Sequence, residues 1–282
     1  MATQEDSDDE DINPFTMLLL AESDPPESNS NLPDPIPIPN LSPNQEQLQF
    51  HRLPSLPSTT VAIRQLPSQG LSFQLWPAAT SLFSLLDLHR SHPHTSPLSA
   101  SLPIPTPTRR RLRLLELGSG TGLVGIAAAL TLSADVTLTD LPHVLPNLHH
   151  NARANSEALA RHGGTVDVAA LSWGELEHME GLVKREYDVV LGSDVVYHDH
   201  LYDPLLRTLG FFLLRGSGSG RTAFVMAHLR RWKKEAVFFK RARKMFDVKV
   251  IHRDGPSDGS RVGVVVYCFS PKHGIRERQI EC

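Results

Sequence analysis

The chain has 282 residues, 40% of them hydrophobic, 31 acidic and 28 basic, which is enough apolar material for one sizeable core flanked by polar segments. Eleven of the acidic residues lie in the first 50 positions and no Lys or Arg precedes Arg52, so the remainder is mildly basic and permits an acidic partner without demanding one. Two cysteines, Cys268 and Cys282, exclude a disulfide framework, and apolar runs such as residues 17–21 fall far short of a membrane span of roughly 20 residues. An acidic start is also unlike a basic targeting peptide, and the expectation is a soluble cytoplasmic protein, with a basic run near residues 230–244 that also allows a nuclear location.

Residues 1–58 are rich in Pro, Ser, Asn and Asp, as in LPDPIPIPNLSPN, and read as a disordered acidic tail carrying one apolar island at 15–21. Residues 61–65 and 72–75 read as short strands around a turn at 67–70. Pro77 opens a helix whose Leu82, Leu85, Leu86 and His89 share one face. The Pro/Ser-rich stretch 92–108 reads as a disordered surface loop. From there strand and helix alternate: strands at 112–117, 136–139, 166–170, 189–192 and 222–226, with helices at 123–132, 145–155 and about 201–214. An amphipathic helix near 232–246 has Trp232, Ala236, Phe239, Ala242 and Phe246 as its core stripe and a basic outer face. Strands at 248–251 and 262–269 close the domain as a hairpin, and residues 273–282 form a short tail. Such alternation predicts an α/β fold, a mostly parallel seven-stranded Rossmann-like sheet with an antiparallel terminal hairpin and helices on both faces.

The stretch LLELGSGTGLVGIAAA, residues 114–129, is the first functional signal. Gly120, Gly122 and Gly125 spell the dinucleotide pattern G-x-G-x-x-G, while Glu116, Gly118, Gly120 and Gly122 spell the loop of an S-adenosylmethionine site. A carboxylate at Glu116 disfavours a pyrophosphate and suits a cationic amino-acid group. Asp140, twenty-two residues past Gly118 at a strand end, can accept ribose hydroxyls from either cofactor, or simply cap the next helix. His198 and His200 lack a third clustered ligand, so no metal site is expected. No Asn/Asp-Pro-Pro-Tyr/Phe follows the fourth strand and base-stacking aromatics are sparse, so nucleic acid is not the expected partner.

Five blocks then carry a specific resemblance: QLWPAATSLFSLL at 74–86, LELGSGTGLVGIAAA at 115–129, VTLTDLPHVLPNLHHNARAN at 136–155, LSWGE at 171–175 and SDVVY at 193–197. In these, over roughly residues 60–270, the chain resembles methyltransferase family 16, the seven-stranded protein-lysine methyltransferases. The resemblance implies that Trp76 packs over the amino-acid end of S-adenosylmethionine and that Gly118, Ser119 and Gly120 line its backbone, Gly122 belonging to the same cofactor loop by the glycine pattern. It places the ribose at Asp140, the adenine beside Trp173, and Ser193 next to the cofactor. Asp194 and Tyr197 would face the incoming lysine of a protein substrate. Ser172 stands where the family commonly has Asp, removing a carboxylate that could accept the adenine amino hydrogen. The expected protein is a monomeric enzyme. A small-molecule methyltransferase, or a cofactor-binding interaction module without catalysis, remains the alternative, and a dehydrogenase is a distant third.

Overall fold

The computed structural model describes residues 46–102, 110–214, 222–256 and 262–272, all within the unit Ser42–Cys282. The chain enters through a hairpin, β1 (Gln47–Arg52) against β2 (Thr60–Gln65), followed by 3-10 turns at Pro67–Gln69 and Leu71–Phe73. Helix α1 (Pro77–Ser91) leads to β3 (Arg113–Leu117), α2 (Leu123–Leu132), β4 (Asp135–Asp140), α3 (Leu145–Ala154), α4 (Ser156–His162) and β5 (Thr165–Ala170). Then come α5 (Leu176–Val183), β6 (Val189–Ser193), α6 (Tyr202–Leu214), β7 (Ala223–His228), α7 (Ala236–Met245), β8 (Phe246–Arg253) and β9 (Val265–Pro271).

Seven strands form one sheet in the order β5-β4-β3-β6-β7-β9-β8. The first five pair in parallel, and β9 inserts antiparallel between β7 and β8. This is the predicted mixed sheet with helices on both faces. Alternation explains how one strand serves two cores: Leu114 and Val189 face the layer of α1 and α2, whereas Leu115 and Val190 face the layer of α6 and α7. Helix α2 has every residue buried, as expected for a crossover helix wedged between sheet and α1. The strand order reverses at β3, with β4 on one side and β6 on the other, and such a switch point opens a crevice at the carboxyl rim.

Four expectations need correction. The tail predicted over 1–58 contains β1 and the buried Leu53 and Leu56, so folded structure is already present at Gln47; residues 1–45, with the apolar island, lie outside the described residues. Likewise, residues 92–102 of the predicted surface loop are packed, with Ser96, Leu98 and Leu102 buried and the Ser96 hydroxyl on His89 Nδ1 at 3.0 Å. Residues 103–109 and 273–282 lie outside the described residues. The strand expected at 72–75 is a 3-10 turn, because Phe73 folds back to donate its N–H to Gly70 and accept from Leu66. The core stripe of α7 also turns: Phe238 is buried and Ala236 exposed, since the first turn is the 3-10 segment Lys233–Glu235.

β2 has β1 on one side only. Its other edge is closed by α3, whose Asn147, Asn151 and Asn155 recur every four residues and so share one face. Asn155 accepts from the Ala62 N–H and donates to its carbonyl; Asn151 does the same for Arg64. Side-chain amides thus satisfy strand groups that burial would otherwise leave unpaired.

Candidate active site

Four strand ends meet at the carboxyl rim. β3 runs into residues 118–122, where Gly118, Gly120 and Gly122 adopt φ of +59°, +55° and +85°. Only glycine takes such conformations without strain, and here the neighbours also stand close to where a side chain would begin. A Cβ on Gly118 would lie 3.0 Å from the Trp173 ring and 3.2 Å from Val195, and one on Gly120 would lie 3.1 Å from the Ser72 carbonyl oxygen. The turn is pinned from below: Ser119 donates its N–H to Thr139 O at 2.9 Å, and Asn151 donates to Thr121 O at 2.9 Å.

Asp140 ends β4 with its carboxylate turned into this loop, accepting from Gly120 N–H and Leu141 N–H, both at 2.8 Å. Burial pushes its pKa up, against those two N–H bonds. Glu116 lies deeper: its Oε2 accepts from Gly125 N–H at 3.0 Å, fastening the first turn of α2, and Oε1 has no partner among the described residues. Complete burial raises its pKa to about 8, Asp140 adding to the effect, so the group is protonated at neutral pH.

Asp194 follows the last residue of β6, Ser193, and sits at φ +53°, a left-handed conformation that Asp tolerates better than most residues. Its N–H extends the ladder to Ala227 O, Oδ1 accepts from Leu229 N–H, and Oδ2 accepts from the Arg231 guanidinium at 2.9 Å. Burial alone would raise its pKa, but His228 and Arg231 outweigh that and hold it below the usual carboxylate range. The same guanidinium lies 5.2 Å from the Trp76 ring centroid, a cation–π distance, and Trp76 is tethered by its indole N–H to Leu71 O. Burial, then the charge of Asp140, raises the Tyr197 phenol, so Tyr197 keeps its proton and feels the carboxylate beyond the glycine turn.

The structure therefore brings together Gly118, Ser119, Gly120, Gly122, Asp140 and Trp173 around one turn. Trp76 joins Asp194 through Arg231, and Tyr197 and Ser193 lie on the same rim. Glu116 is beneath it. Sequence reading missed His228, the last residue of β7, and Arg231 and Glu235 in the connection that follows it. The LRRWKKE run there looked like an ordinary basic surface, because nothing in its spacing reveals that one arginine of the pair turns inward. No group of three or more His, Cys, Asp or Glu residues that could hold a metal occurs among the described residues, and no described helix is long and apolar enough to cross a membrane.

This geometry can now be set beside known proteins. The chain is 35% identical over 140 residues to protein N-lysine methyltransferase METTL21A of Danio rerio, covering 48% of this chain and 58% of that one. It is 37% identical over 133 residues to EEF1A lysine methyltransferase 3 of Mus musculus, covering 47% and 52%. It thus spans little more than half the length of the relatives it matches. A family model described as lysine methyltransferase matches residues 55–245, about two thirds of the sequence. The chain belongs to the lysine methyltransferase family.

Proposed function

We propose that this protein transfers a methyl group from S-adenosylmethionine to a lysine side chain of another protein. The observation that carries the reading is the meeting, on one rim, of the glycine turn with Asp194 and Tyr197, the Val195 side chain packing where a Cβ on Gly118 would be.

The residues present fit the cofactor. Three left-handed glycines make a turn with little room for side chains, the Trp173 ring stands close over Gly118, and Asp140, bonded to the Gly120 N–H at the end of β4, would hold the ribose. When bound, the cofactor supplies an electrophilic methyl on a sulfonium. Trp76, Gly118, Ser119, Gly120 and Gly122 would enclose its amino-acid end, with Ser193 beside it. Glu116 acts from beneath by anchoring α2.

The acceptor nitrogen must arrive neutral, although free lysine has a pKa of about 10.4. Asp194, kept ionised, draws in the ammonium and fixes its direction; a carboxylate with a depressed pKa is a poor base, so its role is positioning. Tyr197, kept protonated, offers an oxygen that accepts an N–H of the amine, and the released proton passes to water. Holding the acceptor nitrogen in line with the cofactor's methyl would then supply most of the rate, and Asp194 and Tyr197 are the residues that would do so.

The test is incubation with radiolabelled S-adenosylmethionine and a hypomethylated cell extract. A discrete labelled protein band is expected; label confined to small molecules supports the small-molecule reading instead, and no transfer despite cofactor binding supports the non-catalytic module. We read the protein as a cytoplasmic monomer whose partner is its protein substrate.

A further inference from the structure

A ring of buried charged groups lies where β7 hands over to α7, and of its members only Asp194 falls in a motif used above. His228, the last residue of β7, is fully buried, with Nε2 3.0 Å from Glu235 Oε2. Its Nδ1 lies 3.5 Å from Asp194 Oδ1, an ion-pair contact too long for a good hydrogen bond. Glu235, also fully buried, accepts from the Arg231 backbone N–H at 3.3 Å to each oxygen. Arg231 in turn donates from its side chain to Leu229 O at 3.1 Å and to Asp194 Oδ2 at 2.9 Å. The contacts close a ring through Asp194, His228, Glu235 and Arg231, balancing two carboxylates against a guanidinium and an imidazole.

Fold stability is a weak reason for such a ring, because buried ion pairs often contribute no more than well-packed apolar side chains of similar volume. We propose that His228 and Glu235 are positioning residues of the methyl-transfer site: they fix the Arg231 backbone and the Asp194 carboxylate so that Asp194 meets the acceptor lysine in one orientation. This rests on the reading of Asp194 as the lysine-facing group.

A chemical consequence follows from who surrounds the imidazole. Asp194 reaches it from the end of β6 and Glu235 from the turn before α7. The Phe239 ring of α7 lies 5.8 Å from it. Tyr202 of α6 and Tyr267 of β9 both feel Glu235, and Arg230, Arg243 and Arg253 act on Tyr267. Burial alone would depress His228, but the two carboxylates outweigh it and raise its pKa. The ring is therefore complete at low pH and loses an N–H contact as pH rises through the raised value. Glu235→Gln removes one of the two charges, so the ring should loosen at lower pH.

The experiment compares full-length wild type, Glu235→Gln and Asp194→Asn, using radiolabelled S-adenosylmethionine and hypomethylated extract across about pH 6–9. Glu235→Gln should keep the cofactor-induced thermal shift of the wild type yet transfer about 10–100-fold more slowly, the deficit widening as pH rises until the wild-type imidazole itself loses its proton and narrowing above that. A Glu235→Gln profile that matches the wild type at every pH, while Asp194→Asn loses transfer, overturns the positioning role alone. Wild-type rates in Asp194→Asn overturn the Asp194 reading beneath it. Should Glu235→Gln fail to fold, nitrogen-15 spectra of histidine-labelled wild type decide: the His228 signal, identified by its loss in His228→Asn, should remain imidazolium above about pH 6.5. A neutral ring at about pH 6 contradicts the proposal.

Discussion

A carboxyl that stays protonated to about pH 8 sets an unusual condition on stability. Glu116 has its folded pKa raised above the unfolded value, so the stability linked to it is fully present below about pH 4.5 and lost as pH climbs toward 8. Glu116→Gln keeps the shape and the bond from Gly125 but cannot ionise. It should abolish that loss, making the variant more stable than wild type at pH 8 by up to about 3–5 kcal/mol, as read by urea denaturation at both ends of the window. At the rim, Tyr197→Phe should leave cofactor affinity within about twofold and slow methyl transfer about tenfold or more, by single-turnover label transfer; an unchanged rate would remove the phenol from the mechanism. The placement of single residues was legible in the sequence where residue type and spacing coincide, as at Asp140 and Asp194, which the fold brings to strand ends on the carboxyl rim. The inward turn of Arg231 was not, because Arg230 and Arg231 are chemically identical neighbours and only the fold decides which one meets a carboxylate.

At the scale of elements, the asparagine face of α3 does the work of a missing strand. Asn151 alone bonds both backbone groups of Arg64 and the Thr121 carbonyl inside the glycine turn. Asn151→Ala would leave these buried groups unpaired at a cost of about 2–4 kcal/mol, visible as a lower unfolding midpoint, and should weaken cofactor binding by loosening the turn. A variant with unaltered stability would show that water replaces the amide. The spacing of Asn147, Asn151 and Asn155 was plain in the sequence, but polar residues on a helix usually face solvent, and their partner β2 cannot be inferred without the hairpin. That hairpin was misread for a similar reason. QLQFHR alternates weakly and adjoins a Pro/Ser-rich run, so composition outweighed a strand stabilised by pairing with β2.

Across the whole molecule, the succession of the seven sheet strands along the chain was the most legible feature, since each buried strand advertises itself as a short apolar run, whereas the crossover helix α5 was not read from the sequence. The sheet then converts local signals into a site: reversal at β3 opens the crevice, and the ends of β3, β4, β6 and β7 deliver the glycine turn, Asp140, Asp194 and His228 to one rim. Binding there couples to global stability. S-adenosylmethionine at about 100 times its Kd should stabilise the fold by about 2.7 kcal/mol, whereas NADH should leave the unfolding temperature unchanged; the reverse pattern would return the glycine turn to a dinucleotide.

The most direct measurement pairs cofactor calorimetry with mass spectrometry of lysine methylation in the extract, for wild type and Asp194→Asn. Asn accepts the left-handed backbone at this position, so the substitution keeps the turn while removing the charge and one of the two bonds, from Leu229 N–H or from Arg231, that the carboxylate accepts. We predict cofactor affinity within about threefold of wild type and a loss of lysine methylation of about 100-fold or more. Methylation by Asp194→Asn at the wild-type rate, or a methylated product that is not a protein lysine, would contradict the account.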